Sequence, residues 1–124
     1  MIDFQNGSFF KLSPVDPATL MPRVGPLLVE GENIIAAFKA IRDSVVFTNK
    51  RVISINVQGI TGKKVDFTSL PYSKVQAYSV ETAGTFDLDS ELDLFFSGIG
   101  QVRFELKGNC DILGLSKLIA SYVL

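Results

Sequence analysis

Histidine and tryptophan are both missing from the 124 residues, and cysteine occurs once, as Cys110. Without an imidazole, no side chain has an ordinary pKa near neutrality to serve as a general base. Cys110 has no His partner, although the helix expected after it could lower its pKa slightly; a half-buried thiol is the expectation. Zinc needs several Cys and His ligands, which the count excludes. A single cysteine allows no intrachain disulfide, as suits a reducing cytoplasm. No apolar run approaches the roughly 20 residues that a membrane-spanning helix needs. The opening MIDFQNGSFF shows no basic segment followed by an apolar stretch, so no signal peptide is expected. A basic excess is absent too: the net charge is −1, which argues against a nucleic-acid partner.

What remains is 47% hydrophobic residues with ten Phe, enough for one packed domain without metal or disulfide support. Residues 1–16 show no clean period and read as an N-terminal segment; residues 17–124 read as a single domain. Asp16 and Pro17 resemble a helix N-cap and first position. Leu20, Val24, Leu27 and Leu28 follow at helical spacing, interrupted by Pro22 and Pro26, so a short or kinked helix is expected within 17–29. Between residues 33 and 107 the period changes to two. Ile34, Ala36, Phe38 and Ala40 share a face, and Val45 and Phe47 continue the pattern. Ile53, Ile55 and Val57 oppose Ser54, Asn56 and Gln58. Further alternations run through 65–67, 75–80, 92–96 and 102–106. TNKR (48–51), GITG (59–62) and GIG (98–100) supply turns. Seven antiparallel strands, one face greasy and the other wet, indicate a sandwich or partly open barrel. After Gly108–Asn109 the period becomes helical: Ile112, Leu115, Leu118, Ile119 and Tyr122 form a stripe, with Asn109 or Asp111 as cap. Such a helix suits the mouth of the barrel.

The stretch VFTNKRVISINVQGITGKKVDFTSLPYSKVQAYSVETAGTFDLDSELDLFFSG (46–98), preceded by LLVEGENIIAAFKAIRD (27–43), resembles the bacterial pleckstrin-homology (PH) domain family, a bacterial domain of unknown function. The resemblance covers roughly residues 17–124. It implies a mainly β fold: a seven-stranded antiparallel PH-like barrel capped by a C-terminal helix, with a short N-terminal helical segment. It also implies assembly into a ring, pentameric in the family's pattern, through edge-strand contacts.

Several constellations need weighing beside that resemblance. Lys50 and Arg51 in TNKR are either solvated turn charges or contacts for a lipid head group; two cations supply at most about 1 kcal/mol each at an anionic surface. GITGKK resembles a phosphate loop only superficially: its spacing is too short, and it joins strands instead of opening a helix. Lys63 and Lys64 are then exposed lysines beside a hairpin. Phosphoinositide readers concentrate cations around the loop that here carries Lys39 and Arg42, with Asp43 offsetting them. Asp87, Asp89, Glu91 and Asp93 lack a calcium-loop pattern. They read as an acidic edge that discourages stray pairing or orients a neighbour presenting Lys63, Lys64 or Lys74. Leu88 and Phe95 break the polarity of an outward face and, with Phe86, suggest a partner surface, unless Phe4, Phe9, Phe10 and Leu12 fold back over them.

The expectation is therefore a cytoplasmic, non-catalytic module with no cofactor or metal, self-associating into a ring that offers a surface to a protein partner. The alternative is a peripheral membrane or phosphoinositide reader using Lys39, Arg42, Lys50 and Arg51.

Overall fold

A computed structural model describes residues 9–108 and 110–124. The described residues form eight strands: β1 (Phe9–Val15), β2 (Ile34–Lys39), β3 (Ser44–Thr48), β4 (Arg51–Gln58), β5 (Lys64–Pro71), β6 (Val75–Glu81), β7 (Ser90–Phe96) and β8 (Gly100–Leu106). They form one sheet in the order β5-β4-β3-β2-β1-β8-β7-β6. The expected seven-stranded antiparallel barrel is corrected on two counts. There is an additional strand, β1, antiparallel to β2 but parallel to β8, so the sheet is mixed. Nor does the sheet close, because β5 and β6 stand at its two ends.

β1 escapes a reading by alternation for local reasons. Lys11 adopts a left-handed φ of 57°, and the register with β8 shifts between Phe9 and Leu12. Such a bulge breaks the two-residue rhythm. Pro14, paired opposite Phe38, removes a ladder donor. Leu12 nevertheless lies fully buried in the main core. β1 thus stitches the β2–β5 meander to the β6–β8 meander.

Two apolar layers flank the sheet. The interior gathers Phe38, Val45, Phe47, Val52, Leu92, Leu94, Val102 and Phe104 with Ile112, Leu115 and Ile119. The Ile53/Ile55 face, alternating as if to line that interior, instead points outward, where Leu20 and Val24 cover it together with Ala37 and Val46. All five residues of β3 are consequently buried.

The expected N-terminal helix is broken into a 3-10 turn at Pro17–Thr19, the one-turn α1 (Met21–Val24) and a second 3-10 turn at Gly25–Leu27. Asp16 caps the first by accepting from the Ala18 N–H at 3.0 Å. Each proline occupies an early helical position, where its missing donor costs least.

The C-terminal helix α2 (Ile112–Val123) is capped by Asp111, which accepts from the Gly114 N–H at 3.0 Å. It buries Ile112, Leu115 and Ile119 and rests on β6, β7 and the Tyr72–Lys74 turn. That turn links β5 to β6, so the helix covers the seam where the sheet fails to close. No described helix is long and apolar enough to cross a membrane.

Candidate interaction surface

Strand polarity sorts the candidate residues into two sets. The 40–43 and 59–63 turns lie at one end of the β2–β5 strands, called here the loop end, and Lys107 lines a groove with the 40–43 turn. The 49–50 turn and the Tyr72–Lys74 turn lie at the other. Lys39, Arg42, Lys63 and Lys64 therefore share the loop end. Lys50 and Arg51 are at the opposite end, so the four cations grouped for lipid contact do not converge.

At that opposite end, the TNKR turn is tied into a network. Arg51 donates from Nε to Glu32 Oε2 at 2.9 Å and from Nη2 to Glu32 Oε1 at 2.9 Å. Its remaining donors reach the Leu27 carbonyl and Ser69 Oγ. Thr48 Oγ1 donates to Glu32 Oε2 at 2.7 Å and accepts from the Lys50 and Arg51 N–H groups. The Glu32 side chain is fully buried. Burial alone would raise its pKa, but hydrogen bonds from Arg51, Thr48 and the Val29 N–H outweigh this and hold it below the usual carboxylate range. Tyr72, also buried, donates to the Thr48 carbonyl at 2.7 Å. A guanidinium with this many partners is a structural clamp. Lys50 alone of the pair extends into solvent.

The loop end is different in character. Lys11, Lys39, Arg42 and Lys107 line one open groove of about 860 Å³, with Asp43 as its acidic member. Asp43 accepts from the Asn56 side chain and the Val57 N–H, which fixes the 40–43 turn. Arg42 donates to the Gly59 carbonyl and joins that turn to the next one. Ile41 and Ile60, at the two turns, are 96% and 104% exposed.

Across the β6–β8 sheet the carboxylates fall into register. Glu81 pairs with Glu91, and Glu91 with Glu105. Like charges directly opposite one another repel. Burial, with Glu81 and Asp93 close by, raises the pKa of Glu91 despite the attraction of Arg103. One step along, Asp93 is compensated: it accepts from Arg103 Nε at 2.9 Å and from Gln101 at 3.0 Å. Burial would raise its pKa, but these bonds hold it lowered.

The sequence matches the bacterial PH domain family over residues 3–123. The chain belongs to the bacterial PH domain family. It is 42% identical over 120 residues to the uncharacterized protein YjqA of Bacillus subtilis (strain 168), covering 95% of this chain and 96% of that one. Among solved structures, a DUF1696 family protein with a pleckstrin-homology domain from Shewanella loihica PV-4 superposes with a TM-score of 0.75 at 43% identity, covering 93% and 99% of the two chains. A pleckstrin homology domain from Shewanella amazonensis SB2B gives 0.61 at 45% identity, covering 92% and 93%.

In this bacterial PH domain the 82–89 arm leaves Phe86 101% and Leu88 65% exposed, while Phe95 is half-buried on the outer face opposite Ala77 and Gln101. Leu12 is spent in the core. Phe4 and the side chains of Phe9 and Phe10 lie outside the described residues; of the four residues offered as an alternative cover, the side chain of Leu12 alone is described, and it packs in the main core. Cys110 is half-buried, and burial, with Asp111 beside it, pushes the thiol up to about 11. That is opposite to the lowering expected from a helix N-terminus, because desolvation outweighs the dipole. Among the described residues no group of three or more acidic or thiol side chains is placed to hold a metal ion. The sequence reading missed Lys11 and Lys107. The pairing of β1 with both β8 and β2 brings them beside Lys39 and Arg42, and nothing in their spacing signals it.

Proposed function

We propose that this bacterial PH domain is a non-catalytic assembly module whose copies join edge to edge into a ring and present their loops to a protein partner. The observation that supports this most is the open sheet. β5 and β6, of eight and seven residues, end the strand order at opposite sides, each paired on one side only among the described residues. Two different edges on one chain suit a head-to-tail contact, which repeats and closes when the rotation between neighbours allows. Main-chain hydrogen bonds would set the geometry of such a contact. Phe67, exposed on β5, and the Phe86–Leu88 arm after β6 would add apolar area. A cytoplasmic location belongs to the same reading. Light scattering at micromolar concentration is expected to give a fixed multiple of 13.6 kDa; a monomer mass overturns the proposal.

A second reading, docking on an anionic lipid surface, is favoured by one observation: the groove lined by Lys11, Lys39, Arg42 and Lys107, with Ile41 at its rim. Exposed apolar tips beside cations are what an anionic interface attracts. It predicts co-sedimentation with phosphatidylglycerol vesicles that is lost at high salt and in K39E/R42E. K50E, altered at the far end of the sheet, is expected to bind as wild type. Absence of co-sedimentation at low salt removes this reading.

A further inference from the structure

Two cavities adjoin at the 40–43 turn. The open groove of about 860 Å³ is lined by Lys11, Lys39, Arg42 and Lys107. A smaller cleft of about 230 Å³ also has Lys39, Ile41 and Arg42 in its lining, and adds Arg23, Thr19 and Ser44. Arg23 comes from α1, Lys11 from β1 and Lys107 from the residue after β8, so three separate elements each bring a cation to Lys39 and Arg42. All five are exposed. The chain's net charge of −1 hides this local excess.

The excess is not neutralised from within. Among the described residues, the side chains of Lys11, Arg23, Lys39 and Lys107 have neither a hydrogen bond nor an ion pair. The one carboxylate among the residues lining the two cavities, Asp43, already accepts from the Asn56 side chain and the Val57 N–H. Like charges gathered in one place repel and weaken the compact state. An anionic occupant removes that repulsion.

The form of the site selects among anions. A phosphate is held best by a bidentate guanidinium, yet three of the five cations are lysines, and Arg42 already donates to the Gly59 carbonyl. The charges are divided between two cavities, which suits an extended occupant better than a compact one. A flat bilayer meets the rim of a concave groove, whereas a chain segment enters it. Val15, Ala40 and Ile41 are interspersed with the cations in the lining, so the matching segment carries apolar side chains among its carboxylates.

We infer that the two cavities form one recognition site for an acidic segment of a partner protein. Its carboxylates meet Lys11, Arg23, Lys39, Arg42 and Lys107, and its apolar side chains pack on Ile41. This rests on the reading of the loops as a partner surface and not on the ring, because every residue of the site belongs to one chain.

The test is fluorescence anisotropy of the full chain with a labelled nonapeptide of Asp and Glu carrying Leu at every fourth position, in about 50 mM salt, where screening is weak. The wild type is expected to bind it saturably, and not to bind the same peptide with Lys at the acidic positions. K39E/R42E and K11E/K107E are each expected to weaken binding at least about tenfold, since the reversed charges repel the ligand. R23E is expected to weaken it about fivefold. K50E/K74E, altered at the other end of the β2–β5 strands, is expected to bind as wild type. Arg42 also joins two turns, so K11E/K107E, which loses no partner, keeps the test independent of folding; its urea midpoint is expected to equal or exceed that of wild type. No binding by the wild type, or equal binding by the charge variants, overturns the inference and leaves the ring standing. Adsorption of the wild type on phosphatidylglycerol vesicles without binding of the peptide overturns it in favour of lipid docking. A monomeric wild type that binds the peptide removes the ring and keeps this site.

Discussion

Phe47→Ala is expected to lower the free energy of unfolding by about 4 kcal/mol, the middle of the range for removing a buried Phe. Phe47 has no exposed surface. Its ring makes edge contacts with Phe38 (centroids 5.7 Å apart, planes at 85°) and Phe104 (5.7 Å, 67°). Phe38 belongs to β2 and Phe104 to β8, so this trio spans the interior on both sides of β1. Truncation leaves a hole and also forfeits two aromatic contacts, each worth roughly 0.5–1.5 kcal/mol beyond area. Against a total stability of about 5–15 kcal/mol, that is a large share. The measurement is a urea midpoint at fixed protein concentration, because the proposed assembly would make apparent stability depend on concentration. Phe47→Leu, which conserves more volume, is expected to cost about 1.5 kcal/mol. Equal costs for Ala and Leu would show that the trio does not bridge the core as described.

The second large effect is at the TNKR corner. Arg51→Ala strands the fully buried Glu32 carboxylate and is expected to cost about 3 kcal/mol, the low end for breaking a buried pair because Arg51 itself keeps 20% of its side chain exposed. Glu32→Leu/Arg51→Ala is expected to recover part of the loss, since the penalty comes from an uncompensated charge. The same pair sets an acid response. Glu32 and Asp93 both have lowered folded pKa values, against ordinary values of 4.5 and 3.8. The unfolded chain therefore binds their protons first, and the stabilisation, complete above those ordinary values, is lost as pH falls through the lower folded ones. Midpoints measured from pH 6 down to pH 3 are expected to drop in wild type and to drop less in Arg51→Ala, where Glu32 has lost its main partner. A parallel decline in both proteins would remove Glu32 from the account.

This corner also shows where a sequence can mislead. Lys50 and Arg51 are adjacent and of one type, yet one faces solvent and the other clamps Glu32, nineteen residues earlier. Nothing local distinguishes them. Ile53 and Ile55 are a similar case. Alternation correctly says that they share a face, but not which side of the sheet that face is on. Here both sides are covered, and the isoleucines pack beneath Leu20 and Val24 instead of lining the interior.

The amino-acid order alone determined the mainly β fold, the turns at 48–51, 59–62 and 98–100, and the capped terminal helix. Those features depend on neighbours a few residues apart: alternation, positive-φ turn residues and a helical stripe. It also set aside imidazole and zinc chemistry by composition. Tertiary structure decided the rest. β1 owes its place to partners some 25 and 95 residues away, and its own period is erased by a bulge at Lys11 and by Pro14. The basic groove, the register that stacks Glu81, Glu91 and Glu105, and the gap between β5 and β6 all depend on which strands come to lie side by side. Pairing is a long-range choice made by the whole packed chain, so no short window of residues can disclose it.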